Sequence, residues 1–377
     1  NITSDDYGQT SGTTSFVDAK DIAEKFAENN QDVTTSNVND PNPGDNCDEK
    51  EKATNSNVEV TVDPVTGNYV VKVVDNVDHT VDVPDTWGDV TVDLNGNTIK
   101  GDNAGDANTP AKPGLDFTHD TNDQINPKPG TNLTIKDSAG GGKIQGGNGS
   151  EQNPNGAPGI KGEGTAVDAE ITVKSPAQVV GGNGADGANG GNGGAGIDGN
   201  ITPTIDGATV TGGNGGSGGD SNTGAGGDGG KGGDGINTPD KEVTVENGGK
   251  VSGGKGGDGG GSTAATDPND GGKAGDGGNG INAGGGTITI DKNNPKPGQP
   301  SEVKGGDGGQ GGDSTGGNGG DGGKGQPSDN DGNGGNGGNG GGGASGGDGG
   351  KGNPDGQDGT TTPTSYGTLT STKTTVT

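Results

Sequence analysis

The chain has 377 residues, of which 94 are Gly and only 20% are hydrophobic, and its formal net charge at pH 7 is -30. So few apolar side chains cannot fill a conventional core in a chain of this length, and we therefore expect an elongated or sheet-like fold. The acidic balance argues against nucleic acid or an anionic membrane as a partner. Every basic residue is Lys, so no guanidinium is available to pair with phosphate or guanine. No apolar run reaches the length of a membrane span, which argues against membrane insertion.

The sequence contains no Met and a single Cys, Cys47, which excludes an internal disulfide. Cys47 lies among Asp and Asn residues and is interpreted as an exposed free thiol, the alternative being an intermolecular disulfide. The absence of Met even at position 1 suggests that an N-terminal segment has been removed, which fits export with a cleaved signal. We therefore expect an extracellular or cell-surface protein.

Residues 1–56 form a polar N-terminal segment that contains the one helical pattern of the chain. Apolar residues recur at three- and four-residue spacing between Ser15 and Asn29, which predicts a short helix over 15–29. We expect this helix to cap one end of the core.

Strand patterns begin after this segment. Alternation over 58–62, a turn-like composition over 63–67 and renewed alternation over 69–73 predict a hairpin. Further strands are predicted over 77–83 and 90–99.

A repeat then appears, and it determines the predicted fold. Each unit opens with a Thr-centred strand, continues to a second apolar residue and enters a Gly-rich stretch. The predicted inward residues of the first strand are Val92, Ile135, Val173, Ile205, Val245 and Ile290, and those of the second are Ile99, Ile144, Val179, Val210, Val251 and Val303. Four Gly-rich stretches end on an Ile that we interpret as an anchor back to the core, namely Ile160, Ile197, Ile236 and Ile281.

One apolar residue at the same place in every unit forms a ladder when the units stack. The repeat therefore predicts an all-β fold, a parallel β-solenoid over 57–304 with about six coils, each of two short strands and one Gly-rich arm.

The Gly-rich arms have a period of three. The stretch 212–237 reads Gly-Gly-X with Asn, Ser, Asp or Lys at X, and it is interrupted at Ser221–Ala225. A period of three fits neither an α-helix nor a β-strand, but it fits the polyproline II geometry that polyglycine adopts. We predict out-and-back pairs of polyglycine II helices that bundle on one side of the solenoid, with each X side chain in solvent. The alternative is a disordered Gly-rich linker.

Two further segments complete the chain. Residues 305–359 contain several Gly-Gly-X tracts and are predicted to form a polyglycine II bundle of about four antiparallel helices. Residues 360–377 are Thr-rich and strand-prone, and we interpret them as a C-terminal strand or tail.

The stretch Val90–Gly101, VTVDLNGNTIKG, resembles the first coil of pectin-lyase-like parallel β-helices of bacterial surface and secreted proteins. The resemblance implies a right-handed solenoid with an N-terminal cap. The Gly-rich arms resemble the polyglycine bundles of the snow flea antifreeze protein. Enzymatic members of the β-helix family rely on Ca²⁺-binding acids with a catalytic Arg or Lys, or on clustered Asp residues with a His. This chain has no Arg, and neither His79 nor His119 lies beside paired Asp residues, so we expect no enzyme activity.

No catalytic or cofactor-binding constellation can be drawn from the sequence. The segment Gly229–Asn237 matches the Ca²⁺-binding nonapeptide G-G-x-G-x-D-x-U-x and makes Asp234 a candidate Ca²⁺ ligand. The alternative is a chance match in Gly-rich sequence, because the local period is three rather than nine.

The composition and the repeat favour a secreted structural protein, either the subunit of an extracellular, pilus-like filament or the stalk of a surface adhesin. A solenoid has two open ends, which invite homo-oligomeric stacking and strand addition by a donor strand. The candidate subunit contacts are apolar residues of the two termini, Ile2, Tyr7, Tyr366, Leu369 and Val376. Two alternatives stay open: a glycan-binding or glycan-degrading β-helix with surface glycans as partners, and an ice-binding protein.

Overall fold

A computed structural model describes residues 26, 35–36, 57–63, 65–84, 88–118, 132–162, 169–264, 270–291 and 300–315. Every element with defined bounds in these ranges is a β-strand. The helix predicted over 15–29 lies outside the described residues except for Phe26, whose side chain is fully buried in the core.

The 21 strands are short, two to five residues each. In chain order they are β1 Thr35–Ser36, β2 Val58–Val62, β3 Tyr69–Val73, β4 Val81–Pro84, β5 Val90–Asp93, β6 Thr98–Lys100, β7 Leu115–Thr118, β8 Asn132–Lys136, β9 Lys143–Gln145, β10 Ile160–Gly162, β11 Glu170–Lys174, β12 Gln178–Val180, β13 Ile197–Gly199, β14 Thr202–Asp206, β15 Thr209–Thr211, β16 Ile236–Asn237, β17 Val243–Glu246, β18 Lys250–Ser252, β19 Ile281–Asn282, β20 Ile288–Ile290 and β21 Glu302–Lys304.

The strands form three sheets that the chain visits in turn. Sheet A has the order β1-β2-β3-β5-β8-β11-β14-β17-β20, sheet B the order β6-β9-β12-β15-β18-β21, and sheet C the order β4-β7-β10-β13-β16-β19. Among the described strands, β2 and β3 form an antiparallel hairpin and every other pairing is parallel. The protein is therefore all-β, with stacked parallel coils, as the repeat predicts.

The expectation of two strands per coil is wrong, because each complete coil has three. The Gly-Ile residues interpreted only as anchors open the strands of sheet C, where Ile160 pairs with Ile197, Ile197 with Ile236, and Ile236 with Ile281. Their side chains stack in one column of the core. Pairing of their backbones gives hydrogen-bond partners to N–H and C=O groups that would otherwise be unpaired beside the core.

The register stacks one apolar side chain per coil on the next. In sheet A the column contains Val92, Ile135, Val173, Ile205, Val245 and Ile290, and in sheet B it contains Ile99, Ile144, Val179, Val210, Val251 and Val303. All of them are at most 2% exposed except Ile290, which packs against the core while partly buried. Burial of each such side chain contributes about 1.5–3 kcal/mol, so a thin core suffices for a chain poor in hydrophobics.

The turns between sheets A and B are held by buried carboxylates. Asp137, 4% exposed, accepts the N–H groups of Gly96 at 2.7 Å, Gly140 at 3.2 Å and Gly142 at 2.6 Å. Gly96 has φ +79° and Gly140 has φ +84°, a conformation that favours glycine. A single carboxylate thus fixes the turns of two consecutive coils.

Candidate assembly surfaces and a polar groove

The Gly-rich segments between sheet B and sheet C are called arms here. Arm 1 is 101–114, arm 2 is 146–159, arm 3 is 181–196, arm 4 is 212–235, arm 5 is 253–280 without 265–269, and arm 6 is described over 305–315. Arms 1 to 5 leave the end of a sheet B strand and return to the start of a sheet C strand. The arms lengthen toward the C-terminus.

Each arm is bonded to other arms by a rule that repeats every three residues. In the outgoing half of arm 4, the N–H of the X residue donates to an X side chain of arm 3. The N–H of the first glycine after it donates to arm 5, and the N–H of the second glycine donates to the returning half of arm 3. For Asn214, Gly215 and Gly216 the acceptors are Asn183 Oδ1 at 2.9 Å, the Lys255 carbonyl at 2.8 Å and the Gly191 carbonyl at 2.8 Å. Every N–H of the triplet therefore has a partner, and none lies within the same arm.

The two glycines of the triplet leave no room for a side chain. A Cβ added to Gly215 would lie 2.0 Å from the Gly230 carbonyl oxygen, and one added to Gly216 would lie 2.0 Å from the Ala185 carbonyl oxygen. Each glycine has a Cα hydrogen in place of the Cβ, and this hydrogen points at the carbonyl oxygen. This is the arrangement of a weak C–H···O hydrogen bond. Close contact between backbones explains why two positions in three are Gly.

The X side chains form ladders of hydrogen bonds from coil to coil. The sequence alone predicted these side chains to be solvated and so missed the ladders. In one ladder each Asn Oδ1 accepts the N–H of the X residue in the next arm, at 2.9 Å throughout, in the order Asn103, Asn148, Asn183, Asn214 and Lys255. Lys cannot accept a hydrogen bond, so this ladder stops there.

The sequence did carry a signal for this ladder. Asn103, Asn148, Asn183 and Asn214 are each the third residue after a sheet B strand. A short side-chain acceptor recurring at one offset from the strand indicates a structural role, because solvent alone would tolerate any polar residue.

The C-terminal end of the solenoid exposes core positions. Ile288 pairs in register with Val243, which is fully buried, yet Ile288 is 43% exposed. Ile281 and Ile290, from the same last coil, are only partly buried. Strands β19, β20 and β21 end the three sheets at this face.

Arm 6 stacks on arm 5 by the same rule. Gly256 and Gly259 of arm 5 donate to the Asp307 and Gln310 carbonyls of arm 6 at 2.9 and 2.8 Å. Gly305 and Gly308, the first glycines of two arm 6 triplets, are themselves buried.

A polar groove lies in the corner between the returning halves of the arms and the outer face of sheet C. Its volume is about 310 Å³, and its lining residues come from arms 2, 3 and 4 together with β13 and β16. The side chains of Asn192, Asp198, Lys231, Asp234 and Asn237 line it, and Gly backbone forms much of the rest.

Asp234, the candidate Ca²⁺ ligand, lies in this groove. Its Oδ1 accepts the N–H of Asn279 at 2.7 Å, which makes it a member of an X ladder. Burial raises the pKa of the Asp234 carboxyl, and the charge of Asp198 adds to that effect. No group of three or more His, Cys, Asp or Glu side chains within the described ranges is arranged to hold a metal ion.

The candidate subunit contacts Ile2, Tyr7, Tyr366, Leu369 and Val376 lie outside the described residues, as do 316–359 of the predicted C-terminal bundle.

No family model, curated protein or solved structure matches this chain. The resemblances to pectin-lyase-like β-helices and to the snow flea antifreeze protein therefore rest on sequence features alone. Within the part of the chain that the structure describes, no helix has the length and apolar character needed to cross a membrane.

Proposed function

We propose that this chain is a non-enzymatic, extracellular structural protein that polymerises end to end, as the subunit of a filament or of an adhesin stalk. The observation that carries the proposal is Ile288, a core position of the last coil that is 43% exposed. Partly exposed apolar side chains on the last strands of two of the three sheets, sheets A and C, are typical of a surface that another strand covers.

The two ends of the solenoid differ, which favours head-to-tail contact over a symmetric dimer. At the N-terminal end the hairpin residues Val58 and Val60 are fully buried. At the C-terminal end Ile281, Ile288 and Ile290 are partly exposed. Unlike surfaces on opposite ends generate open linear assemblies when they bind one another.

The proposed occupant of the C-terminal end is residues 360–377 of a neighbouring copy. This segment is Thr-rich and contains Tyr366, Leu369 and Val376, a composition suited to adding a strand to an open sheet edge. Backbone hydrogen bonds would provide much of the affinity, and the apolar side chains would cover Ile288.

We further propose that the arms are polyglycine II helices. Their period of three, and N–H groups that bond to neighbouring arms, support this geometry, which has no internal hydrogen bonds. A stack of such arms would stiffen one side of a filament.

The test compares three variants with the full chain by light scattering and electron microscopy. Deletion of 360–377 and Ile288→Lys are each expected to leave folded monomers. Thr289→Lys places the same charge on the adjacent, outward-facing residue of β20 and should still polymerise. Polymers of unchanged length from the deletion variant would rule out the tail as the occupant, and unchanged polymers from Ile288→Lys would rule out this end of the solenoid as the interface.

A further inference from the structure

Arm 1 lies at the edge of the arm stack, because the coil before it has no arm. In that coil Val77 pairs with Ile99 of sheet B, and Val81 begins β4 of sheet C. Only residues 78–80 connect these two positions. Among the described residues, one face of arm 1 therefore has no other arm against it. An open edge of backbone groups is a template for pairing with another molecule unless something covers it.

The second glycine of each triplet is the position that faces the preceding arm. A Cβ added to Gly182 of arm 3 would lie 1.8 Å from the Gly147 carbonyl oxygen of arm 2. In the returning half of arm 3, a Cβ added to Gly194 would lie 2.1 Å from the Ala157 carbonyl oxygen of arm 2. A side chain at this position therefore excludes an arm on that side.

Arm 1 has side chains at the positions that face a preceding arm. Asp102 is the second residue after its sheet B strand, as Gly147 is in arm 2, and Lys112 is the third residue before its sheet C strand, as Ala157 is. Lys112 Nζ lies 3.3 Å from Asp102 Oδ2, and His79 Nδ1 lies 2.9 Å from Asp102 Oδ1. These three side chains occupy the side on which a preceding arm would stack.

The backbone of arm 1 is closed to a preceding arm as well. Pro113 lies two residues before its sheet C strand, the position of Asn279 in arm 5, whose N–H donates to the Asp234 side chain of arm 4. Proline has no N–H and cannot make this bond. The Pro113 carbonyl accepts the Thr80 hydroxyl at 2.7 Å, so the second backbone group of this residue is also occupied.

We propose that His79, Thr80, Asp102, Lys112 and Pro113, together called the arm cap, prevent the arms of a second copy of this chain from stacking on arm 1. The arms bind one another by backbone groups that are the same in every triplet, so an uncapped edge would accept an arm from any copy. The arm cap restricts this stacking to arms of one molecule. It lies beside the coils, so the proposal does not depend on contacts at the ends of the solenoid.

The test variant is Asp102→Gly/Lys112→Gly/Pro113→Asn, which gives arm 1 the residue types of the later arms. The control is Asp102→Asn/Lys112→Gln, which removes the charges but keeps side chains of similar size and keeps Pro113. Both are made in the full chain that also carries Ile288→Lys, which blocks the proposed end-to-end contact. Mass is followed by sedimentation over a range of concentrations, and circular dichroism checks the fold.

We expect the test variant to form dimers at a concentration at least tenfold below that at which its parent does, because two identical open faces can pair about a two-fold axis. The control should sediment like its parent. Equal association of test variant and parent, or equal association of control and test variant, would overturn the proposal. If the triple change prevents folding, Asp102→Gly/Lys112→Gly, which keeps the Thr80 bond, is read in the same way. Polymers formed by the Ile288→Lys parent itself would count against the filament interface, and the cap is then judged by whether the test variant forms larger assemblies than this parent.

Discussion

The contact between neighbouring arms is the feature most open to a decisive test, and Gly229→Ala probes it. A Cβ at Gly229 would lie 2.2 Å from the carbonyl oxygen of Gly257 and 2.6 Å from its carbon. Ordinary van der Waals contact begins at about 3.4 Å, so the two arms must separate by more than an ångström. Neither atom belongs to a flexible side chain that could move aside.

The cost follows from the hydrogen bonds that this separation breaks. Gly229 donates to the Lys273 carbonyl at 2.7 Å, Gly257 donates to Gly230 at 2.7 Å, and Gly275 donates to the displaced Gly257 carbonyl at 2.8 Å. At a net value of about 1 kcal/mol each, with the reduced entropy of the unfolded chain offsetting part, we expect Gly229→Ala to lower the free energy of unfolding by about 2–4 kcal/mol. Gly229→Val is expected to cost more.

The assay is chemical denaturation followed by circular dichroism, with two controls from the same arm. Gly224→Ala makes the identical change at the arm tip, where the nearest atom to a new Cβ is Ser221 Oγ at 3.6 Å, and should be neutral or stabilising by about 0.4–1 kcal/mol. Lys231→Gln changes an exposed X side chain and should stay within about 0.5 kcal/mol. Equal destabilisation by Gly229→Ala and Gly224→Ala would refute the argument that arm contact, rather than glycine flexibility, sets the sequence.

Three further changes test the side-chain hydrogen bonds and the buried charge. Asp234→Asn should raise the melting temperature at neutral pH, because a raised pKa of the Asp234 carboxyl makes its ionised form destabilising. This gain should disappear below the usual Asp pKa, and a gain that is the same at every pH would contradict the argument. Asp137→Ala should lower the free energy of unfolding by about 2–5 kcal/mol, since three N–H groups lose their acceptor; a loss below about 1 kcal/mol would mean that water replaces the carboxylate. Asn183→Ala should cost about 1 kcal/mol by leaving the Asn214 N–H unpaired, and an unchanged melting temperature would show that the ladder is not stabilising.

The class of fold could be predicted from the sequence because the solenoid repeats a local pattern. An apolar residue follows the Thr of each unit at a fixed place, as Val173 and Ile205 do. Such a residue is buried when it stacks on its equivalent in the next coil. The hairpin over 58–73 was predicted from alternation and turn composition, and the structure confirms it. These signals are local, and parallel stacking turns them directly into tertiary contacts.

The last strands of the third sheet could not be predicted, because β16 and β19 have two residues each and show no period. Ile236 and Asn237 make a strand only because Ile197 and Asp198 lie beside them in the previous coil. Two residues carry no alternation, so the pairing depends on the arm returning to the right place, and that is a property of the whole coil.

Composition and period by themselves determined that this chain would stack short strands around a thin core and would bring glycine backbones close together. Only the tertiary structure decided what the X residues do. An Asn after two glycines looks like a solvated turn residue, but the stacking of arm 4 on arm 3 places the Asn214 N–H beside Asn183 Oδ1. The same stacking encloses Asp198 and Asp234 in one groove and leaves Ile288 half exposed at the last coil. These relations join residues in different coils, and no window of sequence contains both partners at a fixed spacing because the arms differ in length.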